Sequence, residues 1–165
     1  MKNEKIILGT AQFGNKYGIA NTKILKKDNY YKILDYALKK NIKILDTARS
    51  YGNEKIIGEY IKANKVENDI KIITKIPSFK NISKSKINFF LKKSLLNLNI
   101  KKFETLFFHD PSDIKFLLKN IKFFNKLKKD FGIKNLGFSI YEKKEFDLIK
   151  KIKTINSIQA PVNFV

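Results

Sequence analysis

Short apolar runs rich in β-branched and aromatic residues alternate along this chain with longer stretches of helical period, and that alternation limits the fold more than any other feature. The spacing predicts strands at 5–8, 42–46, 70–75, 105–109, 134–138 and 157–160. Between them it predicts helices at 29–40, 54–63, 83–98, 113–130 and 143–151, each with apolar residues three and four apart. In the fourth helix Ile114, Leu117, Leu118, Ile121, Phe124 and Leu127 are expected to form one stripe. Pro111, Ser112 and Asp113 suit its entry, and Gly132 suits its exit. Every helix is long enough to return the chain between parallel strands. Strands buried on both faces should read as unbroken apolar runs, as Ile6 to Leu8 and Leu106 to Phe108 do. The expected class is α/β, with six parallel strands and five helices. No linker or composition shift divides the 165 residues, 43% of them hydrophobic, so residues 1–165 are expected to form a single domain. The stretch 80–86 reads as a polar connection.

Repeated βα units fit an open doubly wound sheet and a closed barrel equally well. Motif placement favours the barrel. No G-x-G-x-x-G follows the first strand and no G-x-x-x-x-G-K-[ST] occurs, so the usual phosphate cradles of open sheets are missing. Polar residues instead sit at the C-terminal ends of several different strands: Asp46 on the second, Lys75 on the third, His109 on the fourth, Ser139 after the fifth and Gln159 on the sixth. Drawing a site from one end of many strands is the habit of a TIM-type (β/α)₈ barrel. Such a barrel takes about 250 residues. The expectation is therefore an incomplete barrel, its N-terminal three-quarters, ending after the sixth strand. Its first and sixth strands would be open edges suited to self-association.

Composition removes several kinds of chemistry. With no cysteine and one histidine, disulfides, thiolate chemistry and a multi-histidine metal site are excluded. No run of about 18 apolar residues occurs, so no membrane span is expected, and a cytoplasmic location follows. The net charge of +20 raises nucleic acid as a partner. Arg49, however, is the only arginine, and arginine is the residue that reads guanine and grips phosphate bidentately. Lysine is spread over the whole length, as solvated faces would be. No specific nucleic-acid partner is expected, although the positive field favours a phosphorylated cofactor or substrate.

Asp46 ends an apolar strand, so its carboxylate should be at least half buried and in need of a partner. Lys75 ends the next strand in the same way. Adjacent parallel strands lie about 4.8 Å apart, close enough for two such side chains to pair. A plain salt bridge is one reading of that pair. Tyr51 follows in the loop 47–52 and can fold its phenol back over it. A tyrosine with a pKa of about 10 transfers protons poorly near neutrality, but a neighbouring ammonium favours the phenolate and lowers that value. His109 would offer a donor to a carbonyl oxygen. Phe13 and Tyr17 are candidates for lining a pocket or for packing.

The stretch Asp46-Thr-Ala-Arg-Ser-Tyr51-Gly52-Asn53-Glu54, followed by Gly58, resembles the D-T-A-x-x-Y-G-N-E-x-x-x-G signature of the aldo/keto reductases. It is joined by Leu8-Gly-Thr-Ala-Gln-Phe-Gly14, Ile73-Thr-Lys75, Phe107-Phe-His109-Asp110, Gly137-Phe-Ser139 and Ile158-Gln159, in order along the whole chain. The resemblance implies a reductase that uses NADPH, with NADH as the alternative, to convert an aldehyde or ketone to an alcohol. In that family's pattern Tyr51 is the general acid, Lys75 tunes it, Asp46 orients Lys75, and His109 orients and polarises the carbonyl. Ser139 and Gln159 match positions that hold the nicotinamide carboxamide, and Gly9, Thr10 and Asp46 match positions bordering the cofactor. Ile140 departs from the pattern, since many members have an asparagine there. The implied partners are the cofactor and a small carbonyl compound, with no metal. A chain of this length is expected to catalyse poorly, and the alternative is a non-catalytic barrel fragment acting as a binding or scaffold protein.

Overall fold

The structure, a computed structural model, describes residues 6–13, 26–79 and 82–162. Six strands make one sheet: β1 (Leu8–Gly9), β2 (Ile44–Asp46), β3 (Lys71–Ile76), β4 (Thr105–Phe108), β5 (Asn135–Ser139) and β6 (Ser157–Gln159). Their order is β1-β2-β3-β4-β5-β6, and the registered pairs β1/β2, β2/β3, β4/β5 and β5/β6 are all parallel. The helices are α1 (Lys27–Lys39), α2 (Glu54–Asn64), α3 (Lys84–Leu98), α4 (Ile114–Lys119), α5 (Ile121–Asp130) and α6 (Lys143–Ile149). A doubly wound sheet reverses its strand order at a switch point, whereas here the order follows the sequence. This is the strand succession of a (β/α)₈ barrel, present to six strands among the described residues.

Two expectations change. The predicted fourth helix is two helices, α4 and α5, so the described residues hold six rather than five. The break is Asn120, whose backbone leaves the helical region (φ −127°, ψ 25°) while its amide donates to Phe116 O at 2.9 Å. Ile114, Leu117, Phe124 and Leu127 are buried as expected, but Leu118 is 50% exposed and leaves the stripe. The second correction concerns Ile6 to Leu8. β1 begins only at Leu8, and Ile6 and Ile7, which precede it, are 61% and 47% exposed. Leu106 to Phe108, in an inner strand, are buried as predicted. Of the expected polar connection 80–86, residues 80 and 81 lie outside the described residues; Ser83 starts α3 by accepting the Lys86 amide at 3.3 Å.

Chain contacts divide the protein into two compact units, Met1–Thr74 with Lys93–Ile100, and Lys75–Lys92 with Lys101–Val165. In the first, Leu34 of α1, Leu45 of β2, Ile57 and Ile61 of α2 and Ile72 of β3 form the core. Phe13 stacks on Tyr30 at 4.7 Å, which settles its role as packing. Gly58 lets α2 approach the end of α3: a Cβ there would lie 1.9 Å from Asn97 O, and Asn99 donates to Gly58 O at 2.9 Å. The buried Tyr60 donates to Asp35 Oδ1 at 2.6 Å. Burial first, and the Asp35 carboxylate second, hold its phenol well above the ordinary 10.0.

The second unit is built on aromatic rings. Phe108 of β4 stacks on Phe138 of β5 at 4.6 Å, and Phe124 of α5 meets Phe108 edge-on at 4.9 Å. Phe79 joins them against Phe116 at 4.9 Å. Each fully buried phenylalanine contributes about 1.5–3 kcal/mol of transfer free energy. Gly132 (φ +57°) ends α5 in the left-handed region, as predicted.

Gly58→Ala is expected to destabilise the protein by about 1–3 kcal/mol through overpacking against backbone, read as the shift in urea midpoint. Gly9→Ala, with nothing within 4 Å of its Cβ, should move that midpoint far less. Because the Tyr60 phenol is raised, the folded state resists its ionisation. That contribution is complete below the ordinary tyrosine value of 10.0 and is lost as pH rises beyond it. Unfolding free energies measured across this range should therefore fall more steeply for the unsubstituted chain than for Tyr60→Phe.

Candidate active site

In the first unit, the ends of β1 and β2 and the turn after β2 are held by one buried polar network. β1 ends at Gly9, which is in register with Asp46, the last residue of β2. Thr10 follows, and its backbone N and its Oγ both donate to Asp46 O, at 2.9 and 3.0 Å. Thr47 N donates to Ile73 O on β3 at 2.9 Å. A 3₁₀ turn, Arg49–Tyr51, then carries Tyr51, and Gly52 (φ +69°) ends it in a conformation that favours glycine. Asn53 closes the segment: its Nδ2 donates to Thr10 O at 2.6 Å, and its Oδ1 accepts from Thr47 Oγ at 2.9 Å. Thr10, Thr47 and Asn53 are buried, whereas Asp46 and Tyr51 are half-buried. Gly9, Thr10 and Asp46 are thus brought together, with Tyr51 on the turn that follows.

In the second unit, the other predicted residues also stand at strand ends. Lys75 is the penultimate residue of β3 and is 6% exposed, the only buried lysine among the described residues. His109 follows β4, half-buried, and its backbone N donates to Ile76 O at 3.2 Å. Ser139 and Gln159 end β5 and β6 in register, and Ser139 Oγ donates to Gln159 Oε1 at 3.4 Å. Strand alternation explains the side that Ser139 takes. Phe108 meets Phe124 of α5 and stacks on Phe138, while Gly137 lies against the ring of Phe107 on the opposite face, and Ser139 shares the face of Gly137. Ile140 is buried, and its N donates to Gln159 O at 2.8 Å.

Two residues carry more structure than sequence reading assigned to them. Asp113, expected only as part of a helix entry, is buried, and its Oδ1 accepts from Phe79 N at 3.0 Å and Ser78 Oγ at 3.2 Å. It ties the segment after β3 to the 3₁₀ turn Pro111–Asp113, two residues beyond His109. The signal was a carboxylate placed directly before an apolar stripe. Asn53 was visible only as a letter of the signature. Tyr17 and Gly14 lie outside the described residues. Among the described residues there is no group of three or more histidines and carboxylates able to hold a metal, and no helix long and apolar enough to cross a membrane.

Asp113→Ala should cost on the order of 1–3 kcal/mol, since it strands the buried Phe79 N–H, and Asp113→Asn, which keeps an acceptor oxygen, should cost less. Denaturant midpoints of the two variants test this.

The family model described as "Aldo/keto reductase family" matches residues 5–165. Among solved structures, a glycerol dehydrogenase from Gluconobacter oxydans is similar at 24% identity and a TM-score of 0.68, over 95% of this chain and 51% of its own. The holo form of an aldo-keto reductase from Bacillus halodurans has 24% identity and a TM-score of 0.70, over 94% of this chain and 52% of its own. An aldo-keto reductase from Klebsiella pneumoniae in complex with NADPH has 18% identity and a TM-score of 0.67, over 88% and 49%. The chain thus spans about half the length of these solved relatives. No curated protein matches it.

Proposed function

Given that the chain belongs to the aldo/keto reductase family, we propose that it carries that family's chemistry, the NAD(P)H-dependent reduction of an aldehyde or ketone to an alcohol. One observation supports this most: every residue of the proposed set ends a strand, stands next to its end, or lies in the turn that follows it. In this reading Tyr51 is the general acid, Lys75 tunes it, Asp46 orients Lys75, and His109 donates to the carbonyl oxygen. The nicotinamide, when bound, supplies the hydride to the carbonyl carbon. Tyr51 delivers the proton to the oxygen, which balances the reduction.

The residues present suit the cofactor. Ser139 and Gln159 form a donor and acceptor pair, 3.4 Å apart, of the kind that holds a carboxamide. Beside Thr10, Gly9 is exposed and has open space where a Cβ would stand. NADPH is the proposed form, in keeping with the NADPH bound to the Klebsiella relative and with a lysine-rich surface that favours a phosphorylated ligand. The substrate is a small carbonyl compound, and the reading treats residues 1–165 as one catalytic domain. A second reading is a catalytically impaired or non-catalytic barrel fragment that serves as a binding or scaffold protein. Self-association through an open strand edge belongs to either reading, since Ile158 on β6 is 44% exposed.

Loss of NADPH absorbance with a panel of aldehydes tests the reductase. Tyr51→Phe is expected to lower the rate by roughly 10²–10⁴-fold, the usual share of a positioned acid. Saturable quenching by NADPH with no turnover on any aldehyde would overturn it in favour of the binding protein. Sedimentation velocity should show a self-associated species that Ile158→Lys returns to monomer, because a lysine on an edge strand opposes further pairing.

A further inference from the structure

We propose that Asn53 is a positioning residue for Tyr51, its amide locking the turn that carries Tyr51 onto the end of β1. The inference rests on the reading of Tyr51 as the acid and assigns a role to a residue outside the proposed set. Asn53 stands directly before α2, where an asparagine side chain ordinarily accepts a hydrogen bond from the helix's first free N–H groups. Here it makes no such cap. Both ends of its amide are committed elsewhere, Nδ2 to Thr10 O at 2.6 Å and Oδ1 to the hydroxyl of Thr47 at 2.9 Å. The orientation of the amide is dictated, because a backbone carbonyl can only accept.

The consequence is geometric. Thr47 is pinned to β3 through its N–H to Ile73 O, and Thr10 is pinned to β2 through Asp46 O. The amide therefore closes the segment 47–53 on two fixed points, and Tyr51 lies two residues from the closure. Within the segment, Tyr51 N donates to Ala48 O at 3.0 Å and Gly52 N to Arg49 O at 3.2 Å, both bonds local to the turn. They shape the turn but do not join it to the sheet. All three members of the network are buried, at 0% exposure for Thr10 and Thr47 and 1% for Asn53, so water cannot replace a lost partner without opening the site. A displacement of about 1 Å in a reacting group can cost on the order of 10²-fold in rate, which gives such a lock its use.

The test reads the position of Tyr51 without needing turnover. In protein labelled with ¹³C at tyrosine Cζ, the signal that Tyr51→Phe deletes identifies Tyr51 among the seven tyrosines. Asn53→Ala and Thr47→Val are expected to shift and broaden that signal while those of Tyr30 and Tyr60 stay in place. Thr47→Ser, which keeps the hydroxyl, should leave it unchanged. Should Asn53→Ala fail to fold, the pair at Thr47 decides. The proposal is overturned if Thr47→Val leaves the Tyr51 signal where it was, if Thr47→Ser moves it equally, or if all the tyrosine signals move together as in general loosening. A chain that reduces no carbonyl would remove the reading of Tyr51 as an acid, a result distinct from any of these.

Discussion

Parallel pairing obliges each strand to return through a long crossover before the next can be laid beside it, and the helices of this protein are those crossovers. Loops that leave the C-terminal ends of such strands are free of the return path and can be short and shaped. The turn after β2 and the one after β4 are of this kind: each holds a 3₁₀ turn, Arg49–Tyr51 in the first unit and Pro111–Asp113 in the second. Polar side chains collect there because the backbone has left the ladder and must be satisfied by other means. The Thr10–Asp46–Thr47–Asn53 network and the Asp113 carboxylate are two solutions to that same problem.

The two units solve their cores differently. The first is chiefly aliphatic, with Phe13 stacked on Tyr30 and a glycine that brings the backbones of α2 and α3 almost into contact. The second is aromatic, and its rings take the face of β4 and β5 that α5 covers. That choice has a chemical consequence. With Phe108 set against the helix and Phe138 stacked on it, alternation turns Phe107, Gly137 and Ser139 the other way. A packing decision thereby sets the face on which Ser139 meets Gln159.

Much of the architecture was legible because periodicity is a local property. All six strands and the first three helices stand where the pattern of apolar residues put them, with ends moved by a few residues. What periodicity could not show was the local backbone change at Asn120. Asn120 carries no mark in sequence that separates it from Asn88, whose amide makes the same bond four residues back to Lys84 O inside an unbroken α3, yet at Asn120 the backbone leaves the helical region and α4 ends. Exposure of Ile6 and Ile7 was illegible for a related reason: a run of apolar residues states what can be buried, not whether a neighbour arrives to bury it.

For the candidate site, residue types and spacing by themselves determined the family, the strand-end placement and the expected chemistry of Asp46, Tyr51, Lys75 and His109, because a signature records which side chains occur and how far apart they lie. Tertiary structure alone decided that Lys75 is the buried lysine among the described residues, that Asp113 holds the segment after β3, and that Asn53 leaves the helix it precedes to join Thr10 and Thr47. The physical reason is the distance along the chain. Asn53 and Thr10 are 43 residues apart, and a hydrogen bond between them exists only once β1 and β2 have paired and Thr10 has been set beside Asp46.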